Sequence, residues 1–169
     1  MDAVELRAMQ APIKERYKED PSAAVITLKA RGSIDSDGLT CKVETGRALA
    51  VAGLHPATGG SGLELCSGDM LLEALVACAG VTLKSVATAV EVPLRRGVVF
   101  AEGDLDFRGT LGVDKEAPVG FAEIRVRFEV DSDAPQDKLD LLLKLTERYC
   151  VVYQTIKNGP KTTVSMKRV

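Results

Sequence analysis

The sequence has no tryptophan, a single histidine (His55) and only 4 % aromatic residues among 169. With so few ring faces, no stacking platform for nucleic-acid bases can be built. Charge of one sign is also missing: 22 Lys+Arg stand against 24 Asp+Glu. There is no basic stripe for a phosphate backbone and no acidic solvating tail, so no nucleic-acid partner is expected. The first stretch, MDAVELRAMQAPIKERYKEDP, lacks the apolar centre of a signal peptide. The longest apolar run is interrupted by Glu73, Thr82 and Lys84, so no membrane span is expected. A cytoplasmic location is the default expectation. Thiols stay reduced there, and Cys41, Cys66, Cys78 and Cys150 are not read as a structural disulfide framework. No C-x-x-C occurs and one histidine cannot complete a zinc set, so no metal or cofactor is expected. The glycines of HPATGGSG (55–62) are not followed by Lys-Ser/Thr. That segment therefore reads as a flexible connection, not a phosphate loop.

What the chain does contain is strong periodicity. Residues 2–18 form an amphipathic pattern with Val4, Leu6, Met9 and Ile13 on one side and Pro21 as a stop. AVITLKAR (24–31), LTCKVE (39–44) and ALAVAGL (48–54) read as an antiparallel meander, with DSDG (35–38) and ETGR (44–47) as turns. In this reading Cys41 is a strand core residue. SGDMLLEALVACAGVTLKSVATAVEV (67–92) is helix-long, with Ser67 as N-cap and Asp69 at the positive end of the helix dipole. It is apolar almost all round, so it should be buried on most sides. Gly80 inside it costs about 1 kcal/mol relative to alanine, which packing or a site should offset. Two strands follow, 97–109 and 121–130. In the second, Ala122, Ile124, Val126, Phe128 and Val130 alternate with Glu123, Arg125, Arg127 and Glu129. A helix over 132–150, capped by Ser132 or Asp133 with Pro135 in its first turn, continues through VVYQTIKN to Gly159-Pro160. KTTVSMKR (161–168) closes the chain as a strand. Strands outside βαβ alternation predict an α+β fold with an antiparallel sheet. The surplus apolar surface of the long helix predicts a partner subunit.

Cys78 lies in LEALVACAG (72–80), where a buried cysteine can be inert core filler. The neighbourhood SGDMLLEALVACAGVTLKSVA around Cys78, taken with ERYCVVYQTI around Cys150, resembles the two cysteine motifs of the OsmC/Ohr family (osmotically inducible protein C and organic hydroperoxide resistance proteins). The order of elements is similar too. This divides the chain into an N-terminal helical extension, 1–23, and an OsmC-like domain, 24–169. The resemblance implies an antiparallel sheet with a long buried central helix in an intertwined homodimer, and a thiol peroxidase acting on organic hydroperoxides. Cys78 would be the peroxidatic thiolate and Cys150 the resolving thiol, with a dithiol as reductant.

The chain departs from the family pattern in three places. The glutamate expected ten residues before the first cysteine is replaced by Gly68, with Ser67 and Cys66 before it; Asp69 is one position late. The family's arginine has no clear counterpart, leaving Arg31 and Arg47 as candidates and His55 as a possible substitute. The proline that follows the second cysteine is replaced by Val151. The possible assisting residues are thus Asp69, Arg47 and His55. The alternative reading is a non-enzymatic dimer of the same fold that binds an apolar ligand or senses oxidants.

Overall fold

The computed structural model describes residues 2–19, 31–34, 40–44, 49–112 and 114–168, with side chains for all of these except 9, 13–18, 31–34, 40–44 and 49. Helix α1 spans Ala3–Glu19. Of its expected apolar face, Leu6 is buried at 6 % exposure while Val4 is open. α1 is tied to the far end of the long helix by Arg7–Glu91, 3.1 Å.

The meander is present as β1 (Arg31–Ile34), β2 (Thr40–Glu44) and β3 (Leu49–Gly53), paired antiparallel in that order. The strand expected at 24–31 lies outside the described residues except for its last member, Arg31, where β1 begins. Both expected turns also fall largely outside them. Cys41 sits in β2 opposite Ala52. A two-residue strand, β4 (Leu65–Cys66), adds to β3 in parallel, so the sheet is mixed where a purely antiparallel one was expected.

The segment between β3 and β4 is more ordered than a flexible connection. His55 caps a short 3-10 turn, Pro56–Thr58, by accepting the Ala57 N–H on Nδ1 at 3.1 Å. Gly59 closes that turn at φ 91°, a left-handed conformation suited to glycine. A Cβ on Gly60 would lie 1.7 Å from the Leu54 carbonyl oxygen, so only glycine fits there.

Helix α2 runs Ser67–Ala89, with Cys66 rather than Ser67 at the N-cap. Its buried positions, Leu75, Ala79, Leu83 and Ala87, recur every four residues and form one stripe. That stripe lies against β5 (Arg96–Leu105), α4 (Gln136–Tyr149) and α5 (Val151–Asn158). The expectation of burial on most sides is corrected for the single chain: Val81 is 72 % and Leu71 40 % exposed. By length and composition α2 could cross a membrane; in this fold one of its sides is packed against protein. At Gly80 a Cβ would meet Val99 Cγ2 at 3.6 Å, an ordinary contact. Nothing among the described residues explains the glycine.

β5 pairs antiparallel with β6 (Phe121–Asp131). The alternation in β6 is as expected at Ile124, Val126, Phe128 and Val130, but Ala122 is exposed near the strand's start. The strand expected over 97–109 ends at Leu105. Asp106 accepts the Arg108 N–H and starts a short helix, α3 (Phe107–Thr110).

Two further corrections concern the C-terminal third. Pro135, not Ser132 or Asp133, is the N-cap of α4. Ser132 bonds the Pro93 carbonyl, and Asp133 joins Asp131 on Arg95. The continuous helix expected through Cys150 is broken there: Cys150 is extended at φ −73°, ψ 105°, ending α4 and opening α5. Residues 161–168 form no strand. They are exposed throughout, Val164 and Met166 at 99 %, because no described edge of the chain pairs with them.

A candidate dithiol site

α2 presents Cys78 next to the break between α4 and α5. Cys78 is half-buried and Cys150 is 1 % exposed. Leu75, Ala79 and Cys150 form the buried centre of one core cluster. Cys78, Val99, Ala101, Ile124, Val126, Phe128, Val152, Tyr153 and Ile156 pack around it. Cys78 packs against the buried cluster that holds Cys150, and each thiol acts on the ionisation of the other, although 72 positions separate them in the sequence.

The helix break gives the pair its electrostatics. The first N–H groups of any helix have no partner within it, and Cys150 makes no side-chain capping bond to those of α5. The Val151 and Val152 N–H groups are instead among the groups that favour the Cys78 thiolate. Burial pushes the Cys78 thiol up. The Val152 N–H, the Cys150 thiol, the Thr82 hydroxyl and the Val151 N–H together outweigh it and hold Cys78 below the ordinary thiol range. For Cys150 the balance is reversed. Its burial dominates, and proximity to Cys78 adds to it, so its thiol is pushed up despite the nearby Tyr153 and Val152 N–H groups. The pair therefore divides its protons: Cys78 ionises first and Cys150 stays a thiol that can donate to it. A thiolate is the nucleophilic form of cysteine.

The assisting residues suggested by sequence are not brought to this sulfur. Asp69 is exposed in the first turn of α2, nine residues before Cys78. That is about 13 Å along the axis and on the opposite side of the helix. His55 stacks on Phe107, with centroids 5.0 Å apart. With Cys66, Phe107 and Phe121 it lines a separate cleft of about 370 Å³ at the start of α2. Arg47 lies outside the described residues, and of Arg31 only the backbone is described. Arg7, Arg95, Arg96, Arg108, Arg125 and Arg127 each pair with carboxylates, while Arg148 lies 5.9 Å from the Tyr149 ring centre. Among the described residues, no cation is one of the groups acting on Cys78. What sequence reasoning missed is that backbone amides and Thr82 occupy this role. Thr82, one helical turn after Cys78, was a visible signal; the break at Cys150 was not.

Beside Cys150 is a hollow of about 210 Å³ lined by Ala79, Ile124, Val126, Phe128, Leu143, Thr146, Glu147 and Tyr153. Its walls mix apolar side chains with polar groups, among them Thr146 and Glu147, the latter bonded to the Tyr153 hydroxyl at 3.0 Å. Among the described residues, no group of three His, Cys, Asp or Glu could hold a metal ion. The arrangement can host thiol chemistry on an apolar partner.

A family model described as OsmC-like protein matches residues 59–165. No curated protein matches the chain in sequence. Among solved structures, an OsmC-like protein from Mycoplasma pneumoniae superposes with a TM-score of 0.65 at 15 % identity, over 79 % of this chain and 89 % of its own. An organic hydroperoxide resistance protein OsmC from Legionella pneumophila gives 0.62 at 15 %, over 80 % and 92 %. An organic hydroperoxide resistance protein from Elizabethkingia anophelis gives 0.62 at 13 %, over 80 % and 91 %. At these identities the likeness shows the α+β fold.

Proposed function

The chain belongs to the OsmC-like protein family, and we propose that it is a thiol-dependent peroxidase that reduces apolar organic hydroperoxides. One observation carries this reading: Cys78, held below the ordinary thiol range, packs in one apolar cluster with the buried thiol of Cys150. Structural likeness to proteins described as organic hydroperoxide resistance proteins supports it. Cys78 as thiolate attacks the terminal oxygen of ROOH. The O–O bond breaks, the alkoxide takes a proton from solvent and leaves as ROH, and Cys78 becomes a sulfenic acid. The Cys150 sulfur displaces that hydroxyl as water and closes a Cys78–Cys150 disulfide. A dithiol reductant then reopens it, restoring two thiols and leaving as its own cyclic disulfide. The second thiol protects the first, since an uncaptured sulfenic acid is oxidised irreversibly. The apolar cluster packed around the two cysteines favours an alkyl or aryl peroxide over a hydrated one.

The test is dithiothreitol- or lipoamide-coupled reduction of cumene hydroperoxide. Steady multiple turnover by the protein and none by Cys78→Ser are expected; equal rates for the two would end the reading. The alternative, an oxidant sensor or apolar-ligand binder, is favoured by the absence, among the described residues, of a cation acting on Cys78. It predicts reversible oxidation without turnover.

The functional unit in this reading is a cytoplasmic homodimer built on residues 24–169, with 1–23 as an extension. A second copy would cover Val81, Tyr149 and Val151, which are 72 %, 59 % and 69 % exposed near the dithiol, and would pair with the open segment 161–168. Sedimentation equilibrium should give twice the 18.0 kDa chain mass; a monomer at micromolar concentration would remove this part.

A further inference from the structure

We propose that Tyr153 and Gln154 of α5 clasp Glu147 of α4 across the break at Cys150, and that this clasp keeps the Cys150 sulfur placed to close on Cys78. In an unbroken helix the Glu147 carbonyl would accept the N–H of Val151, four residues on. The extended backbone at Cys150 removes that partner. The last bond of α4 runs from the Cys150 N–H to Thr146, at 3.0 Å, and the first of α5 from the Gln154 N–H to Cys150, at 2.9 Å. The Gln154 side chain reaches back over the gap, and its Nε2 donates to the Glu147 carbonyl at 2.7 Å. Beside it the Tyr153 hydroxyl donates to the Glu147 carboxylate at 3.0 Å. Two neighbouring residues of α5 thus hold one residue in the last turn of α4, by its backbone and by its side chain.

The clasp is itself fixed. Asn158 donates to Gln154 Oε1 at 2.8 Å, which leaves the Gln154 amide nitrogen turned to Glu147. The Tyr153 ring packs in the cluster with Cys78 and Cys150, and the Lys157 ammonium stands 5.4 Å from its centre. A break without glycine or proline has no backbone lock of its own. Cys150 has φ −73° and ψ 105°, open to any residue, and its side chain makes no capping bond. Packing turns Cys150 inward, and the two bonds to Glu147 hold the helices on either side of it. Losing one such bond lowers the population of the held geometry by roughly a factor of five. Tyr153 and Gln154 are therefore positioning residues that act through Cys150.

The use of the clasp rests on the peroxidase reading; the placement of the sulfur can be measured without peroxide. The full-length protein, Tyr153→Phe and Gln154→Glu are equilibrated with a glutathione redox buffer, and the Cys78–Cys150 disulfide is quantified by peptide mapping. Its formation constant reads how closely the folded chain holds one sulfur to the other. Tyr153→Phe keeps the ring and loses the donor. Gln154→Glu keeps the oxygen that Asn158 bonds and loses the amide donor. Each should lower the constant about fivefold. Leu142→Ala, in the neighbouring cluster and outside the clasp, should leave the constant at the parent value under native conditions, which separates placement from stability. An unchanged or raised constant in either folded clasp variant overturns the proposal, and so does an equal fall in Leu142→Ala. Variants that show the expected falls beside a parent without turnover of cumene hydroperoxide remove the peroxidase reading and leave the clasp standing. A parent that turns over the peroxide beside variants with unchanged constants removes the clasp alone.

Discussion

Replacing Cys150 with serine should stop the reaction after a single turnover while leaving the first chemical step in place. Cys150 occupies the N-cap of α5 and is almost fully buried. Serine is a favoured N-cap residue and is slightly smaller, so the fold and the amide cluster at Cys78 should survive. The variant loses the sulfur that displaces hydroxyl from the Cys78 sulfenic acid. Mixed with one equivalent of cumene hydroperoxide and no reductant, the parent protein should give an intramolecular disulfide. Cys150→Ser should instead give a sulfenic acid that dimedone traps on the Cys78 peptide. With excess peroxide the variant should proceed to the sulfinic acid and lose its thiol permanently, whereas the parent should not. Intact mass and peptide mapping read every species. Steady cycling of Cys150→Ser at the parent rate, or a parent protein that accumulates sulfenic acid with no disulfide, would show that the two sulfurs do not act in sequence.

This outcome depends on a feature hidden from the sequence. Val151, Val152 and Tyr153 continue the helical periodicity of α4, with no glycine or proline to mark a boundary, yet the chain is extended at Cys150. The break is imposed by packing: Cys150 turns into the cluster with Leu75 and Ala79, while Thr146 and Leu142 of α4 are the positions buried one and two turns earlier. A search for an activating group looks for charged side chains, and so it arrived at Asp69, Arg47 and His55. The donors at Cys78 include two backbone N–H groups, which no residue identity reveals. Val151 matters because it is not proline: it sits at the first position of α5 and retains the N–H that proline lacks.

Other parts were legible because one physical signal governed them. The period-two alternation of β6 follows from burying one face of a strand, and it held from Ile124 to Val130. The extent of α2 followed from its apolar length, and the meeting of Cys78 with Cys150 was implied by the paired motifs. The same alternation misled at 161–168. Pattern alone does not make a strand: it needs an edge to bond to, and the edges of a second chain are not written in the sequence of the first.

Leu142→Ala should separate the stability of this fold from its chemistry. Leu142 is 2 % exposed and joins α4 to the C-terminal half of α2, packed with Leu83, Ala87 and Val92 beneath Phe128 and Val130. Truncation removes three carbons from a filled core and leaves a cavity that the rigid β5–β6 pair cannot fully close. A loss of about 2–5 kcal/mol is expected. It should appear as a lower urea midpoint with an unchanged slope, at fixed protein concentration because dimer formation would contribute. The dithiol lies in the neighbouring cluster around Leu75 and Ala79, which shares Phe128 with the Leu142 cluster. Under native conditions the alkylation midpoint of Cys78 should therefore stay at the parent value. The opposite pattern, little lost stability and a displaced Cys78 midpoint, would mean that α4 and α5 move as one body and that the two ends of α2 are not independent.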